Sequence, residues 1–376
     1  MNIAAATHQK LQLMSAKDGA SMVLPGQTPQ GGHILSVLLK RSYDIVPHGI
    51  CKRAEQDQAL IPGDIFRNTP MNSAVEFESD FVPYKLYTDV VLIGRAYAPK
   101  GKPAQQCTVS LQVGEQIKSI LVTGERNARY TAPDTPPIFT DPEPFIDMGL
   151  RYERAYGGTD VFSDKRIPYP YPRNPLGSGF AIANKPESVD GLALPNLEDP
   201  ADLVTPQRLC IGEYQRWTEQ PKPAGFGWFP KHWQPRCLLA GILPADRATE
   251  QEMRAAYAKL VPADQREAYV NHGLPDMNFL FFNGASTDLS FPYLEGGEEV
   301  RCENLSPAGL IDFQLPTDAP KIGLDIGSGT KEPKVVLQTV QIRMEDSQVD
   351  MVWRAAVPYP GRDWLPQMRK MVILVY

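Results

Sequence analysis

Cys107-Thr108-Val109-Ser110-Leu111-Gln112-Val113-Gly114-Glu115-Gln116, continued by residues 117–122, is the stretch that decides the fold class. Apolar and polar residues alternate at Cys107, Val109, Leu111 and Val113 against Thr108, Ser110 and Gln112, the period of a strand with one buried face. Gly114-Glu115 then supplies a glycine-first two-residue turn, so the segment predicts a β-hairpin. Working outward, Val336, Val340, Ile342 and Met344 lead through residues 345–348 into Val349, Met351, Trp353, Ala355 and Val357, a second hairpin. Residues 34–45 and 89–98 are rich in β-branched and aromatic side chains and predict two more strands. Residues 371–376 form a short apolar run that would invite aggregation if left free, so a closing strand is expected there.

The rest of the composition agrees with a strand-and-loop protein. There are 36 prolines in 376 residues, roughly twice the average usage. Each lacks an N–H and constrains its predecessor, which disfavours long helices. Prolines crowd between about residues 123 and 235, as in Tyr169-Pro170-Tyr171-Pro172-Arg173-Asn174-Pro175, where regular strands are hard to place. With 14 Phe, 15 Tyr and 5 Trp to bury, those loops are expected to be packed. Thr249 and Glu252 make a capping-box pattern ahead of Met253, Tyr257, Leu260 and Val261, and Asp264 is placed to cap a second helix, giving one or two short helices near 249–272. The expected fold is mainly β, with two strand-rich, β-sandwich-like lobes. They comprise residues 33–150 and 236–376, joined by a long ordered Pro/Gly-rich loop region at 151–235 and preceded by an arm at 1–32.

Several function classes lose support. A net charge of -6 with no run of Lys or Arg opposes nucleic-acid binding. The longest apolar runs are too short to cross a bilayer, and the opening residues lack a leader's apolar stretch, so the expected compartment is the cytoplasm. Five cysteines, Cys51, Cys107, Cys210, Cys237 and Cys302, form an odd set with no C-x-x-C spacing and read as free buried thiols. His8, His33, His48, His232 and His272 include no i, i+4 pair, and the H-E-x-x-H, G-x-S-x-G and Walker A patterns are absent. No catalytic residue, metal or cofactor is therefore expected. Asp325-Ile326-Gly327-Ser328-Gly329-Thr330 resembles the phosphate-gripping turn of actin-like ATPases, but too little chain follows it, so a glycine-rich loop is the better reading. Gly177-Ser178-Gly179 follows Pro175 rather than a strand, which removes a dinucleotide-binding reading. Phe226, Trp228, Phe229 and Trp233 around His232 are either packed core or partner-contact aromatics. The same cluster carries the alternative of an all-β enzyme or carbohydrate-binding protein.

Three motifs in order make the chain recognisable: residues 152–160 (Tyr-Glu-Arg-Ala-Tyr-Gly-Gly-Thr-Asp), 173–180 (Arg-Asn-Pro-Leu-Gly-Ser-Gly-Phe) and 194–198 (Leu-Pro-Asn-Leu-Glu). With 78–90, 98–101, 226–236, 276–282, 292–296 and Trp353-Arg354, the sequence resembles the family called domain of unknown function 2169. The resemblance implies an adaptor or chaperone associated with type VI secretion, whose partner is a PAAR-like effector protein to be loaded onto the spike, with VgrG as a further partner. It also marks Arg154, Gly157, Gly158, Asp160, Arg173, Asn174, Gly177, Gly179 and Asn196. Their residue types point to architecture: glycines for positive φ or close backbone approach, Asp160 and Asn174 for loop amides, and the arginines for pairing with Glu153, Asp160 or Glu198.

Overall fold

The computed structural model describes residues 19–70, 72–133, 135–161, 168–182, 185–209, 211–240, 277–325, 330–359 and 372–375. The hairpin read from residues 107–122 is present as β4 (Gln106–Val113) and β5 (Gln116–Thr123), in register from Gln106 opposite Thr123 to Val113 opposite Gln116. Gly114 turns the chain at φ 56°. The second hairpin is also formed, by β10 (Val335–Arg343) and β11 (Gln348–Pro358), with a bulge between Leu337 and Thr339.

Among the described residues twelve strands build two main sheets, eleven of them labelled here and the twelfth the two-residue Lys52–Arg53. The others are β1 (Ala20–Gln27), β2 (His33–Asp44), β3 (Thr88–Ile93), β6 (Leu197–Glu198), β7 (Ser290–Phe291), β8 (Glu299–Glu303) and β9 (Leu310–Gln314). The larger sheet runs β1-β2-β11-β10-β3-β7, with Lys52–Arg53 also on β2, and only the β10–β3 pair is parallel. The smaller sheet runs β6-β5-β4-β8-β9.

This topology confirms the mainly β class and corrects the division into lobes. Each sheet mixes strands from both halves of the chain, because β2 finds its longest partner in β11, and β4 finds one in β8. Long-range pairing, invisible to local periodicity, therefore interleaves the expected lobes. Part of the arm expected at 1–32 is strand: β1 pairs along its whole length with β2, so the sheet already includes Ala20, and residues 1–18 lie outside the described residues. The strand expected at 89–98 breaks after Ile93, and Arg95–Tyr97 pairs instead with Asp147–Gly149. Val372–Val375 does pair, antiparallel to Ile322–Asp325. Asp325 and Thr330 face each other across an antiparallel pair, and 326–329 between them lie outside the described residues, as do the helices expected near 249–272. No helix among the described residues is long and apolar enough to cross a membrane.

Both faces of the larger sheet are buried, but by different chemistry. One face carries Tyr43, Val90, Leu92, Val340, Ile342, Val349, Met351 and Trp353, which pack on Val109, Leu111, Val113, Ile120, Val122, Val300 and Cys302 of the smaller sheet. This is the core of a sandwich, where each fully buried aliphatic side chain contributes about 1.5–3 kcal/mol. Toward the other end of that face, Leu35, Val37 and Leu39 cluster with Ile322 and Tyr359. The opposite face presents Ser36, Lys40, Ser42, Asp89, Thr339, Gln341, Arg343 and Asp350, all buried. A covering of irregular chain crosses it: Gln58 N donates to Ser42 Oγ (2.9 Å), Ile61 N to Asp80 Oδ2 (2.8 Å), and Ser36 Oγ to the Pro83 carbonyl (2.6 Å).

Candidate functional site

Charges on the polar face are matched by charges from the chain that covers it. Lys40 Nζ meets Asp80 at 2.9 Å, and Ser42 Oγ donates to Asp350 at 2.5 Å while Arg343 Nε reaches the other Asp350 oxygen at 2.8 Å. Lys85 and Asp89 lie one helical-type spacing apart yet meet on a strand edge, at 2.7 Å, with Lys85 also donating to Thr339 (3.0 Å). Asp89 accepts from Asn283 Nδ2 (3.0 Å) and Gly284 N (2.9 Å), so both its oxygens are engaged. Trp228 lies over the Lys85 ammonium at 4.9 Å and donates its indole N–H to Gln341 (3.1 Å).

Beside this layer Arg236 forks onto Glu78 with two bonds of 2.6 Å, and Lys231 joins Glu78 (3.3 Å) to Asp64 (2.7 Å). Burial pushes the Glu78 carboxyl upward, but the Arg236 guanidinium, helped by Lys231 and Lys85, outweighs it and holds the group below the usual range. Gly284 must be glycine here: an added Cβ would sit 2.4 Å from Glu78 Oε2 and 2.8 Å from Arg236. The arrangement pairs each carboxylate with a cation or several donors, which fixes loops onto the sheet.

The motif residues of the middle region build a second structure, a knot around Asn174. That side chain is fully buried. Its Nδ2 donates to the carbonyls of Tyr152 (2.7 Å) and Tyr156 (3.1 Å), its Oδ1 accepts from Leu176 N (3.2 Å), and its own carbonyl accepts from Gly158 N (2.8 Å). Tyr156–Gly157 and Ser178–Gly179 pair in parallel through the knot. A Cβ on Gly157 would lie 2.1 Å from the Asn174 carbonyl, and one on Gly177 would lie 2.3 Å from the Ala155 carbonyl. Gly158 and Gly179 take φ of 113° and 95°, which L side chains rarely adopt. Asp160 accepts from Ile182 N (2.7 Å). Asn196 ties the knot to β5, donating to the Thr123 carbonyl (3.0 Å) and accepting from Arg154 (2.9 Å).

The arginines find partners other than those expected. Arg154 meets Glu125 at 2.6 Å, and Glu198 is taken by Arg126. Burial nonetheless holds the Glu198 carboxyl above the usual range, against the pull of Arg126 and Val204 N. Arg173 donates to carbonyls, those of Gln220 (3.1 Å) and Thr218 (3.3 Å), and to the Tyr171 hydroxyl (3.1 Å), while stacking over Trp217 at 5.0 Å. It closes the end of the Tyr214–Glu219 turn, which is why no carboxylate is needed.

The aromatic cluster resolves as core. Phe226, Trp228 and Trp233 are 1%, 3% and 1% exposed, and Phe229 is half-buried. Tyr152, Phe229 and Trp233 meet edge-to-face with centroids 5.5–5.7 Å apart. Phe226, Trp228 and Trp233 are therefore closed to a partner or a sugar ring in this structure, and Phe229 keeps part of its surface. The Gly/Pro-rich context left core and partner contact open because it hid how the segment lies on β3, where Leu92 N donates to the Phe226 carbonyl (2.9 Å). His232 lies on Trp233, and burial lowers its pKa against the field of Asp64. Of the cysteines described, Cys51, Cys107 and Cys302 are free and buried and Cys237 is free and half-buried; Cys210 lies outside the described residues. Residues 78–90 carry the charges that sequence reasoning left without a role. Their signal was the run of Glu78, Asp80, Lys85 and Asp89 beside strand-forming residues.

Comparison with known proteins gives one family. The model of the family described as "Uncharacterized protein conserved in bacteria (DUF2169)" matches residues 30–354. No curated protein and no solved structure matched. The matched span takes in the smaller sheet, the larger sheet apart from β1 and the end of β11, the charged layer and the knot. The chain therefore belongs to the family of domain of unknown function 2169.

Proposed function

We propose that this protein is a non-enzymatic adaptor that holds a PAAR-like toxin in the cytoplasm and promotes its loading onto the VgrG spike of a type VI secretion system. The observation that carries the reading is where the motif residues are used. Glu78, Asp80, Asp89, Lys85 and Arg236 are buried in pairs with one another or with the sheet, and Asn174 with its glycines locks the loop-rich middle. Groups held in this way position a surface; they are not poised to exchange protons with a substrate. Loops fixed before binding lose little conformational entropy when a partner arrives, which favours a holding role.

Co-expression with a PAAR-like toxin from the same genome tests the proposal. The toxin is expected to co-purify with the adaptor, and VgrG to join or displace it. Two folded, soluble proteins that elute apart would remove the reading.

A further inference from the structure

Three of the four edges of the main sheets are closed. β7 is only two residues long, a short strand that gives little to pair with. β6 is flanked by Ala155, which bridges Leu197 in parallel, and Asn196 N donates to the Arg154 carbonyl (2.8 Å). β9 is covered by residues 48–51: Cys51 N donates to the Gln314 carbonyl and Gln314 N to the Gly49 carbonyl, each at 2.9 Å. The fourth edge is β1, eight residues long and last in the larger sheet. Among the described residues nothing bonds to its outer side.

The direction of each β1 amide follows from β2, whose two sides alternate. On the β11 side, the His33 carbonyl accepts from Tyr359 N (3.2 Å) and Ile45 N donates to the Ser347 carbonyl (2.8 Å). On the β1 side, the Ser42 carbonyl accepts from Ala54 N (3.0 Å). Even-numbered residues of β2 therefore bond β1, through their partners Ala20, Met22, Leu24 and Gly26. Ser21, Val23, Pro25 and Gln27 turn their backbone groups outward, and Pro25 stands where its missing N–H costs no bond to β2. No charged residue occurs in β1, and Ser21, Met22, Val23 and Leu24 are half-buried.

This outward row is complementary to itself. In an antiparallel pairing with a two-fold axis at Val23, each Val23 donates to and accepts from its counterpart, and each Ser21 N–H meets the Pro25 carbonyl of the second copy. Proline lacks a donor, but its carbonyl still accepts. Met22 falls opposite Leu24 in both halves, an apolar pair, and no like charges meet. Elsewhere two copies of a chain with net charge -6 repel each other, so a neutral edge is where they can approach. We propose that β1 is a dimerisation edge, on which a second copy of this chain pairs in this register and joins two larger sheets into one. Sedimentation velocity across a hundredfold range of concentration tests it, and the wild-type chain is expected to sediment as a dimer. V23P removes an outward N–H and should weaken association at least tenfold, as should S21P, which spares the packing of Val23 on Leu35 and Val37. Both should retain β circular dichroism, because the bonds to β2 come from the other residues. P25V supplies the missing donor toward the Ser21 carbonyl in both halves and is expected to tighten the dimer about tenfold. A wild-type chain that stays monomeric, a dimer that folded S21P and V23P leave as tight, or one that P25V fails to tighten, overturns the proposal. Should either proline variant lose its β structure, P25V alone decides.

Discussion

On one face of the larger sheet Val340, Ile342, Met351 and Trp353 meet other apolar side chains, whereas on the other face Lys40, Asp89, Arg343 and Asp350 meet charges and amides. Apolar contact is non-directional and tolerates repacking of similar volume. Buried charge pairing is directional, and each partner depends on the other for its solvation. The sandwich core thus supplies much of the stability, while the charged face selects which loops cover the sheet and in which register.

The sharpest way to break this contrast is to strand one charge. Arg236→Ala leaves Glu78 buried without its fork and is expected to destabilise the fold by about 3–5 kcal/mol in denaturant titrations. The double variant Glu78→Leu/Arg236→Met should recover much of that loss. A double variant as weak as the single one would show that the Arg236 bonds to the Phe229 and Phe281 carbonyls matter more than the charge pair.

A smaller effect is expected in the knot, where steric closeness replaces charge. Gly177→Ala drives a methyl toward the Ala155 carbonyl and should cost about 1–3 kcal/mol, read as a lower melting temperature with retained β circular dichroism. An unchanged melting point would mean that the knot yields freely and does not hold the middle region.

Acid should expose the smallest and most graded difference. Glu78 has its folded pKa below the unfolded reference of 4.5, so its contribution is present above pH 4.5 and is lost as pH falls through the folded value. His232 is depressed below 6.5, so its contribution starts to fall earlier, below about pH 6.5. Melting curves from pH 8 to 3 should show both, with His232→Gln removing the upper part of the decline and Glu78→Gln the lower. Glu198, raised by burial, works in the opposite sense, and its contribution is lost as pH rises through its folded value. A stability profile flat across this range would refute the assignment of these groups.

The apolar face was legible because alternation at Val109, Leu111 and Val113, or at Val349, Met351 and Trp353, reports burial within a single strand. The polar face was not. In β2, alternation alone does not say whether Lys40 and Ser42 meet water or protein, and it is the covering chain, with Asp80 on Lys40 and Gln58 on Ser42, that makes them interior. The motif glycines were correctly placed at tight approaches, but the partners of Arg154 and Arg173 depend on which loop passes nearby, which spacing does not encode.

Ser42 and Asp350, bonded across neighbouring strands β2 and β11, are 308 residues apart. Ribosomes add about 5–20 residues per second, so β2 emerges roughly 15–60 s before its partner strand exists. During that interval Leu35, Val37 and Leu39 have no β11 to pair with, and the larger sheet cannot close before residues 348–358 have been made. The pace of translation therefore sets how long the apolar face of β2 waits for its neighbouring strand.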